Sequence, residues 1–195
     1  MTIHLAIFAS GNGSNAESII KHFAGHPVIS VKVVLSNKMD AKVLERAAQY
    51  GIPTVTFPKE ELYHTDKIES LLEKLEVEWI ILAGFLLKVP EKMLLLFPDR
   101  IINIHPALLP KYGGKGMYGM HIHRAVVAAG ETETGITIHF VNENYDEGAI
   151  IFQEKVLLDK NDTPEDVAKK IQLLEHIYFP KVIEKTILKN YSNTD

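Results

Sequence analysis

The chain has 195 residues, 46% hydrophobic and 24% charged, which suits a single globular domain over residues 1–195. Its formal net charge of -4, with lysines and arginines scattered, disfavours nucleic acid as a main partner. The absence of cysteine excludes disulfides, thiolate metal sites and a cysteine nucleophile. Because the chain carries no long uninterrupted apolar run and no basic leader before its first strand, we expect a cytoplasmic protein that does not enter a membrane.

The first strand and the turn after it predict an anion-binding site. Residues 3–8 form an apolar run typical of a buried parallel strand, and the glycine-rich turn at 10–15 leads directly into a helix. The glycines let backbone N–H groups approach a ligand, Ser14 and Asn15 add side-chain donors, and the helix N-terminus supplies positive potential. A phosphate is the expected ligand, and the alternative is a tight turn that binds nothing. The Walker and dinucleotide fingerprints are both incomplete here.

The next elements continue the alternation of strands and helices. We predict strands over 31–36, 54–57 and 79–83, a helix over 41–50 with Leu44, Ala47 and Ala48 inward, and one helix over 61–75. The strand 79–83 ends in an apolar loop, 84–90, at the edge where parallel sheets bind ligands. This loop is suited to a flat aromatic ligand, although its apolar residues also suit core packing.

The strand over residues 101–105 presents two polar side chains. Asn103 and His105 are two residues apart, so they project from one side while the neighbouring isoleucines take the other, and Pro106 ends the strand. The pattern delivers an amide and an imidazole to the end of a sheet, or it caps neighbouring backbone. The glycine-rich segment 113–119 that follows is expected to be a mobile lid.

We expect no metal site. His121 and His123 begin the next helix, where their rings point apart, and no cysteine or acidic cluster completes a ligand set.

The last third of the chain predicts the edge of the sheet and a long helix. Strands at 134–141 and 149–156 are joined by a short turn that contains Asp146, so they should pair antiparallel. The final helix begins near Thr163, and Pro180 should kink or break it. The whole pattern predicts an α/β fold: an open, mostly parallel twisted sheet with helices on both faces and an antiparallel addition at one edge.

Five segments occur in the order seen in the phosphoribosylglycinamide formyltransferases, and essentially the whole chain resembles that family. They are SGNGSN at 10–15, LAGF at 82–85, NIHPALLPKY at 103–112, HFV at 139–141, and Asp146-x-Gly148. The resemblance implies a Rossmann-like formyltransferase fold. It also implies an enzyme of purine biosynthesis that transfers a formyl group from the cosubstrate 10-formyltetrahydrofolate to the amine of 5'-phosphoribosylglycinamide, without a metal.

The same resemblance implies the residues of the site. Asn103 and protonated His105 would stabilise the oxyanion, and Asp146 would raise the His105 pKa. The ribonucleotide would be bound by Gly13, Ser14, Asn15, Gln172 and Glu175. The folate would be bound by Leu86, Leu87, Lys88, Val89, Asn103, Asn142, Glu143, Asn144, Tyr145 and Asp146. The implied partners are small molecules, and the implied assembly is a monomer or a homodimer.

Three features differ from relatives in this family. Leu87 and Leu62 stand where several relatives carry arginines, and the glycine-rich run at 113–120 is longer. The folate tail therefore has no obvious side-chain partner near position 62. The length of the chain is expected to exclude the methionyl-tRNA formyltransferases and the formyltetrahydrofolate hydrolases, which resemble the same domain joined to a second one. A non-enzymatic sensor of phosphate ligands is the alternative from a different class.

Overall fold

The computed structural model describes residues 2–192, with seven strands and seven helices in that range. The strands are β1 Ile3–Phe8, β2 Ile29–Ser36, β3 Thr54–Thr56, β4 Trp79–Leu82, β5 Ile101–His105, β6 Glu133–Phe140 and β7 Ile150–Leu157. The helices are α1 Ser14–Phe23, α2 Lys42–Gln49, α3 Lys59–His64, α4 Lys67–Lys74, α5 Glu91–Leu96, α6 Met120–Ala128 and α7 Pro164–Ser192.

The strands form one seven-stranded sheet in the order β3-β2-β1-β4-β5-β6-β7. β1 pairs in parallel with both β2 and β4, β2 pairs in parallel with β3, and β6 pairs antiparallel with β7 at the edge. The predicted fold class is therefore confirmed. The short connection between β6 and β7 leaves no room for a crossover helix, which is why this pair is antiparallel.

Two compact units divide the chain, Met1–Ile102 and Asn103–Asp195. In the first unit, β4 is buried along its length and β1 is buried except at His4, as expected for apolar strands covered on both faces. In the second unit, α7 packs against β6, β7 and α6. Its fully buried residues include Phe179, Ile183 and Ile187. The expectation of a single domain over 1–195 stays a prediction.

The predicted helix over 61–75 is wrong, because two short helices replace it. Thr65 is extended, with φ -135° and ψ 167°, and it separates α3 from α4. Its hydroxyl donates to the Glu61 carbonyl at 3.0 Å and accepts from the Lys67 backbone N–H at 3.4 Å, so it competes with the helical pattern. The Lys92 ammonium also donates to the Thr65 carbonyl.

Two smaller predictions about helices are also corrected. α7 continues through Pro180, so the predicted break is absent, and a kink there stays a prediction; buried side chains on either side hold the helix although proline cannot donate to the carbonyl four residues earlier. In α2 the buried residues are Val43 and Ala47, while Ala48 is exposed. No helix within residues 2–192 combines the length and the apolar character needed to cross a membrane.

Candidate active site

β5 supplies two of the predicted site residues from one short strand. Its isoleucines are almost completely buried, and so is His105, which is 4% exposed; Asn103 is half-buried. The Asn103 amide contacts His139 and His105 faces Asp146, and Asp146 in turn lies close to His139. These contacts agree with the prediction that the two side chains project from one side of the strand, and their role in a site stays a prediction.

Asp146 lies between the two histidines in the turn that joins β6 to β7. Its Oδ2 is 3.5 Å from His105 Nδ1, and its Oδ1 is 3.7 Å from His139 Nε2. Oδ2 also accepts the Gly114 backbone N–H at 2.9 Å. A Cβ at Gly148 would lie 1.7 Å from the Phe140 carbonyl oxygen, so only glycine at this position lets the turn close this tightly.

Both ring nitrogens of His105 face acceptors. Nε2–H donates to the Tyr112 carbonyl at 2.8 Å, and Nδ1 faces the Asp146 carboxylate. The protonated imidazolium satisfies both contacts at once, whereas neutral His105 turns a lone pair toward the carboxylate. Burial nevertheless lowers the pKa of His105 and outweighs Asp146 and the Tyr112 carbonyl, which raise it. Asp146 thus acts in the predicted direction, but the net pKa is lowered rather than raised.

His139 belongs to this group, although sequence reasoning did not include it in the site. Its Nδ1–H donates to the Phe140 carbonyl at 2.8 Å, so its Nε2 is left to accept the Asn103 amide at 3.0 Å. Burial lowers the pKa of His139, which favours this neutral form. His139 therefore fixes the orientation of the Asn103 amide. The available signal was strand alternation, which places His139 and Thr137 on one face of β6.

The glycine-rich turn after β1 leads directly into α1, as the sequence predicts. Gly13 caps α1 in the left-handed conformation, with φ 78° and ψ 20°. A Cβ at Gly13 would lie 2.5 Å from the side chain of Val43 in α2, so this approach requires glycine. Ser14 and Asn15 form the first turn of α1, and Ser10 donates to Asn37 Oδ1 at 2.6 Å.

The apolar loop after β4 is tied to the same turn. The Ser10 hydroxyl accepts the Leu86 backbone N–H at 3.0 Å, and the Lys88 carbonyl accepts the Tyr63 hydroxyl at 2.8 Å. Leu86 is 44% exposed, Leu87 is half-buried, Lys88 is exposed and Val89 is buried. The loop therefore presents a partly exposed apolar surface on a backbone that is already held in place.

The remaining predicted site residues lie in the second unit. Asn142, Glu143, Asn144 and Tyr145 are exposed in the turn before Asp146, where the Asn142 side chain accepts the Asn144 backbone N–H at 3.0 Å. Gln172 is exposed and Glu175 is half-buried, three residues apart on α7. His121 is exposed and His123 is buried, and residues 2–192 contain no group of three or more histidine, aspartate or glutamate side chains able to hold a metal ion.

The arrangement of Asn103, His105, His139 and Asp146 is suited to acyl-transfer chemistry. Asn103 offers an amide N–H whose direction His139 fixes, and His105 offers a proton under the influence of Asp146. Oriented donors of this kind stabilise a developing oxyanion, and a histidine can pass a proton to a leaving group.

Comparisons with known proteins agree with this geometry. Residues 3–183 match the family model described as formyl transferase. The phosphoribosylglycinamide formyltransferase of Bacillus subtilis is 36% identical over 187 residues, which cover 93% of each chain. The chloroplastic phosphoribosylglycinamide formyltransferase of Arabidopsis thaliana is 42% identical over 185 residues. The match covers 92% of this chain but only 63% of that protein, so the chain spans about three fifths of the length of this plant relative.

Solved structures give the same result at the level of the fold. The crystal structure of phosphoribosylglycinamide formyltransferase from Anaplasma phagocytophilum superposes with a TM-score of 0.86 at 33% identity, covering 94% of this chain and 86% of that one. The corresponding enzyme from Bacillus halodurans gives a TM-score of 0.84 at 35% identity, covering 94% and 95%. These matches confirm the resemblance carried by the sequence motifs, and the chain belongs to the formyl transferase family.

Proposed function

We propose that this protein transfers the formyl group of 10-formyltetrahydrofolate to the amine of 5'-phosphoribosylglycinamide, giving N-formyl-phosphoribosylglycinamide and tetrahydrofolate in de novo purine biosynthesis. The observation that carries the proposal is the convergence of Asn103, His105 and Asp146 on one spot. Membership of the formyl transferase family and the names of the relatives support the substrates.

The proposed step balances as an acyl transfer. The amine nitrogen forms a bond to the formyl carbon, and the carbonyl electron pair moves onto oxygen, where the Asn103 amide N–H and His105 stabilise it. The bond from carbon to N10 of the folate then breaks as the carbonyl re-forms. N10 gains one proton, which His105 is placed to supply, and the proton that the attacking amine loses restores the charged form of His105.

His105 must release one present acceptor before it can donate to substrate. Its Nδ1 faces Asp146, which favours the charged form of the ring, so we propose that this contact remains when substrate binds. The Tyr112 carbonyl on Nε2 is the contact that we propose the substrate displaces. Tyr112 has φ +57° and immediately precedes the glycine-rich segment 113–119, so a small backbone rotation there would free Nε2.

The substrate-binding residues are proposed from the family resemblance and supported by local geometry. The ribonucleotide phosphate is assigned to Gly13, Ser14 and Asn15, supported by the left-handed glycine at the start of α1. Gln172 and Glu175 on α7 are assigned to the rest of the ribonucleotide.

The folate is assigned to the loop 86–89, to Asn103 and to the turn 142–146. The exposed apolar side chain of Leu86 supports contact with a flat ring. Because the Leu86 N–H and the Lys88 carbonyl are already hydrogen-bonded within the protein, polar contacts to the ring would come from the other backbone groups of this loop. We further propose that the protein acts in the cytoplasm, as a monomer or a homodimer, on these small molecules.

The test is a coupled assay of folate and formate. Purified protein is mixed with 10-formyltetrahydrofolate with and without phosphoribosylglycinamide, and folate deformylation and formate release are both followed. Deformylation that requires the ribonucleotide and releases no formate is the expected result. Deformylation with formate release and without the ribonucleotide would make the protein a hydrolase, and binding of the ribonucleotide without turnover would make it a sensor.

A further inference from the structure

Arg46 on α2 holds the glycine-rich turn through a three-pronged contact. Its Nε–H donates to the Asn12 carbonyl at 2.9 Å, and its Nη2 donates to Asn12 Oδ1 at 2.8 Å. Its third nitrogen, Nη1, donates to Glu17 in the first turn of α1. One guanidinium therefore joins the backbone of the turn, a side chain of the turn and the helix that the turn begins.

A second contact from α2 holds the neighbouring peptide. The Val43 backbone N–H donates to the Gly11 carbonyl at 3.1 Å, and the Val43 side chain packs against Gly13. Two successive carbonyls of the turn, those of Gly11 and Asn12, are thus directed at α2.

The direction of the carbonyls decides where the N–H groups point. In a trans peptide the N–H of each residue points opposite to the carbonyl before it, and the one cis bond within residues 2–192 joins Leu109 to Pro110. The N–H groups of Asn12 and Gly13 therefore point away from α2. A row of backbone N–H groups directed to one side is what an anion cradle needs.

Charge around Arg46 supports a positioning role. Hydrogen bonds from Lys21, then from Tyr50 and Arg46, lower the pKa of Glu17 to about 2, so Glu17 is an anion close to the start of α1. An unpaired carboxylate there would oppose a phosphate, whereas one held by Arg46 and Lys21 does not. All three side-chain nitrogens of Arg46 donate to groups of the protein. Arg46 would therefore influence the ligand by holding the turn in position, and not by direct contact.

We propose that Arg46 is a positioning residue for the phosphate site, which it preorganises by fixing the carbonyls of the turn so that the N–H groups face the ligand. This inference rests on the proposed function for the identity of the ligand, a ribose 5-phosphate ester. Lysine keeps the charge but cannot reproduce the planar fork that bonds Asn12 twice and Glu17 once. The shape of the side chain, as well as its charge, should therefore matter.

The experiment compares Arg46→Lys, Arg46→Met and Lys42→Met with wild type. Lys42 is exposed on the same helix, so Lys42→Met removes one positive charge without touching the turn. Ribose 5-phosphate is the probe in titration calorimetry, and steady-state kinetics are measured in parallel. We expect both Arg46 variants to bind ribose 5-phosphate about tenfold more weakly, as for loss of one charged hydrogen bond. KM for the ribonucleotide should rise equally, while kcat and KM for the folate stay within about twofold.

The outcomes separate this inference from the proposed function. If Arg46→Lys binds ribose 5-phosphate as tightly as wild type, the charge alone explains the effect and the inference is overturned. The inference is also overturned if Arg46→Met and Lys42→Met bind ribose 5-phosphate with the same affinity. Weaker ribose 5-phosphate binding in the variants of a protein without transferase activity would uphold the inference and refute the function. Failure of wild type to bind ribose 5-phosphate would overturn the inference whatever the activity. If Arg46→Met does not fold, Arg46→Lys carries the test.

Discussion

His105 combines burial with a carboxylate neighbour, and the balance between them sets the expected pH dependence. Burial lowers its pKa below 6.5, while the reactive amine titrates at about 7.7 to 8.0 if unperturbed. If the reaction needs charged His105 and neutral amine, the logarithm of kcat/KM rises with pH up to the His105 pKa and is flat between the two pKa values. It falls above the amine pKa, where the amine is already neutral and the charged fraction of His105 keeps decreasing. The plateau height is set by the gap between the two pKa values.

Asp146→Asn should lower the plateau and the alkaline limb of that profile. Removal of the carboxylate takes away an interaction that raises the His105 pKa, so that pKa falls further and the acid limb ends at a lower pH. The plateau should fall with it, about tenfold for each unit of widening between the two pKa values. The measurement is kcat/KM for the ribonucleotide from pH 5 to 9, and a profile that superimposes on wild type would refute the pairing of Asp146 with His105.

Asn103 depends on His139 for the direction of its amide. Asn103→Ala removes the proposed oxyanion donor and should lower kcat by about 10²- to 10³-fold. His139→Ala leaves the donor but frees its orientation, so we expect a smaller loss, about tenfold in kcat. Combining the two changes should cost little more than Asn103→Ala alone, because the second acts through the first. Multiplicative losses in the double variant would show that His139 acts independently.

At the residue scale, only part of the candidate site could be predicted from the sequence. Asn103 and His105 could be found because a two-residue spacing in a strand fixes a shared side, and Asp146 because it follows β6 in a recognised motif. The role of His139 and the lowered pKa of His105 could not, since both depend on which atoms surround a buried ring.

At the scale of elements, the separation of α3 from α4 is stabilised by Lys92 in α5. Its Nζ lies 3.1 Å from Glu69 Oε1, and Glu69 is only 8% exposed. We predicted one helix across Thr65 because Ile68, Leu71 and Leu72 follow the apolar spacing of a single helix face. Side-chain hydrogen bonds to the backbone, which periodicity does not register, determined the break instead.

Lys92→Met should be costly because it leaves the Glu69 carboxylate buried without its cation. We expect a loss of about 2–4 kcal/mol in the free energy of unfolding, measured by urea denaturation. Adding Glu69→Leu to Lys92→Met should recover most of that loss, since no buried charge then remains. A Lys92→Met variant as stable as wild type would show that water already solvates Glu69.

At the scale of the whole molecule, three buried histidines make stability depend on pH. Burial lowers the pKa of His105, His123 and His139, so each binds a proton more readily in the unfolded chain. As pH falls through about 6.5 the unfolded state takes up protons first, and the free energy of unfolding decreases, by at most about 1.4 kcal/mol per pH unit for each histidine. Glu17 and Asp166, with pKa values of about 2, lose their contribution only at lower pH.

This dependence can be measured by urea denaturation at pH 7.5 and pH 5.5, with His123→Leu as the matched variant. His123 is 6% exposed, and within residues 2–192 its Nδ1 has no hydrogen-bond partner. The variant should therefore lose less stability than wild type between the two pH values. Equal stability of wild type at both would contradict the buried, neutral state of these rings.

Most of the architecture could be predicted from the sequence. Alternating strands and helices predicted the mostly parallel sheet, and the short turn before β7 predicted its antiparallel edge. The contact of Arg46 with the glycine-rich turn could not be predicted, because 34 residues separate Arg46 from Asn12 and neither lies in a motif that requires the other.

The most direct test of the central claim follows the formyl carbon itself. 10-Formyltetrahydrofolate labelled with ¹³C at the formyl group is incubated with phosphoribosylglycinamide and wild type or His105→Ala, and ¹³C NMR records where the label goes. Wild type should place the label on the amine of the ribonucleotide, and His105→Ala should do so at least about 10²-fold more slowly. Label in formate, or equal rates for the two proteins, would contradict formyl transfer at this site.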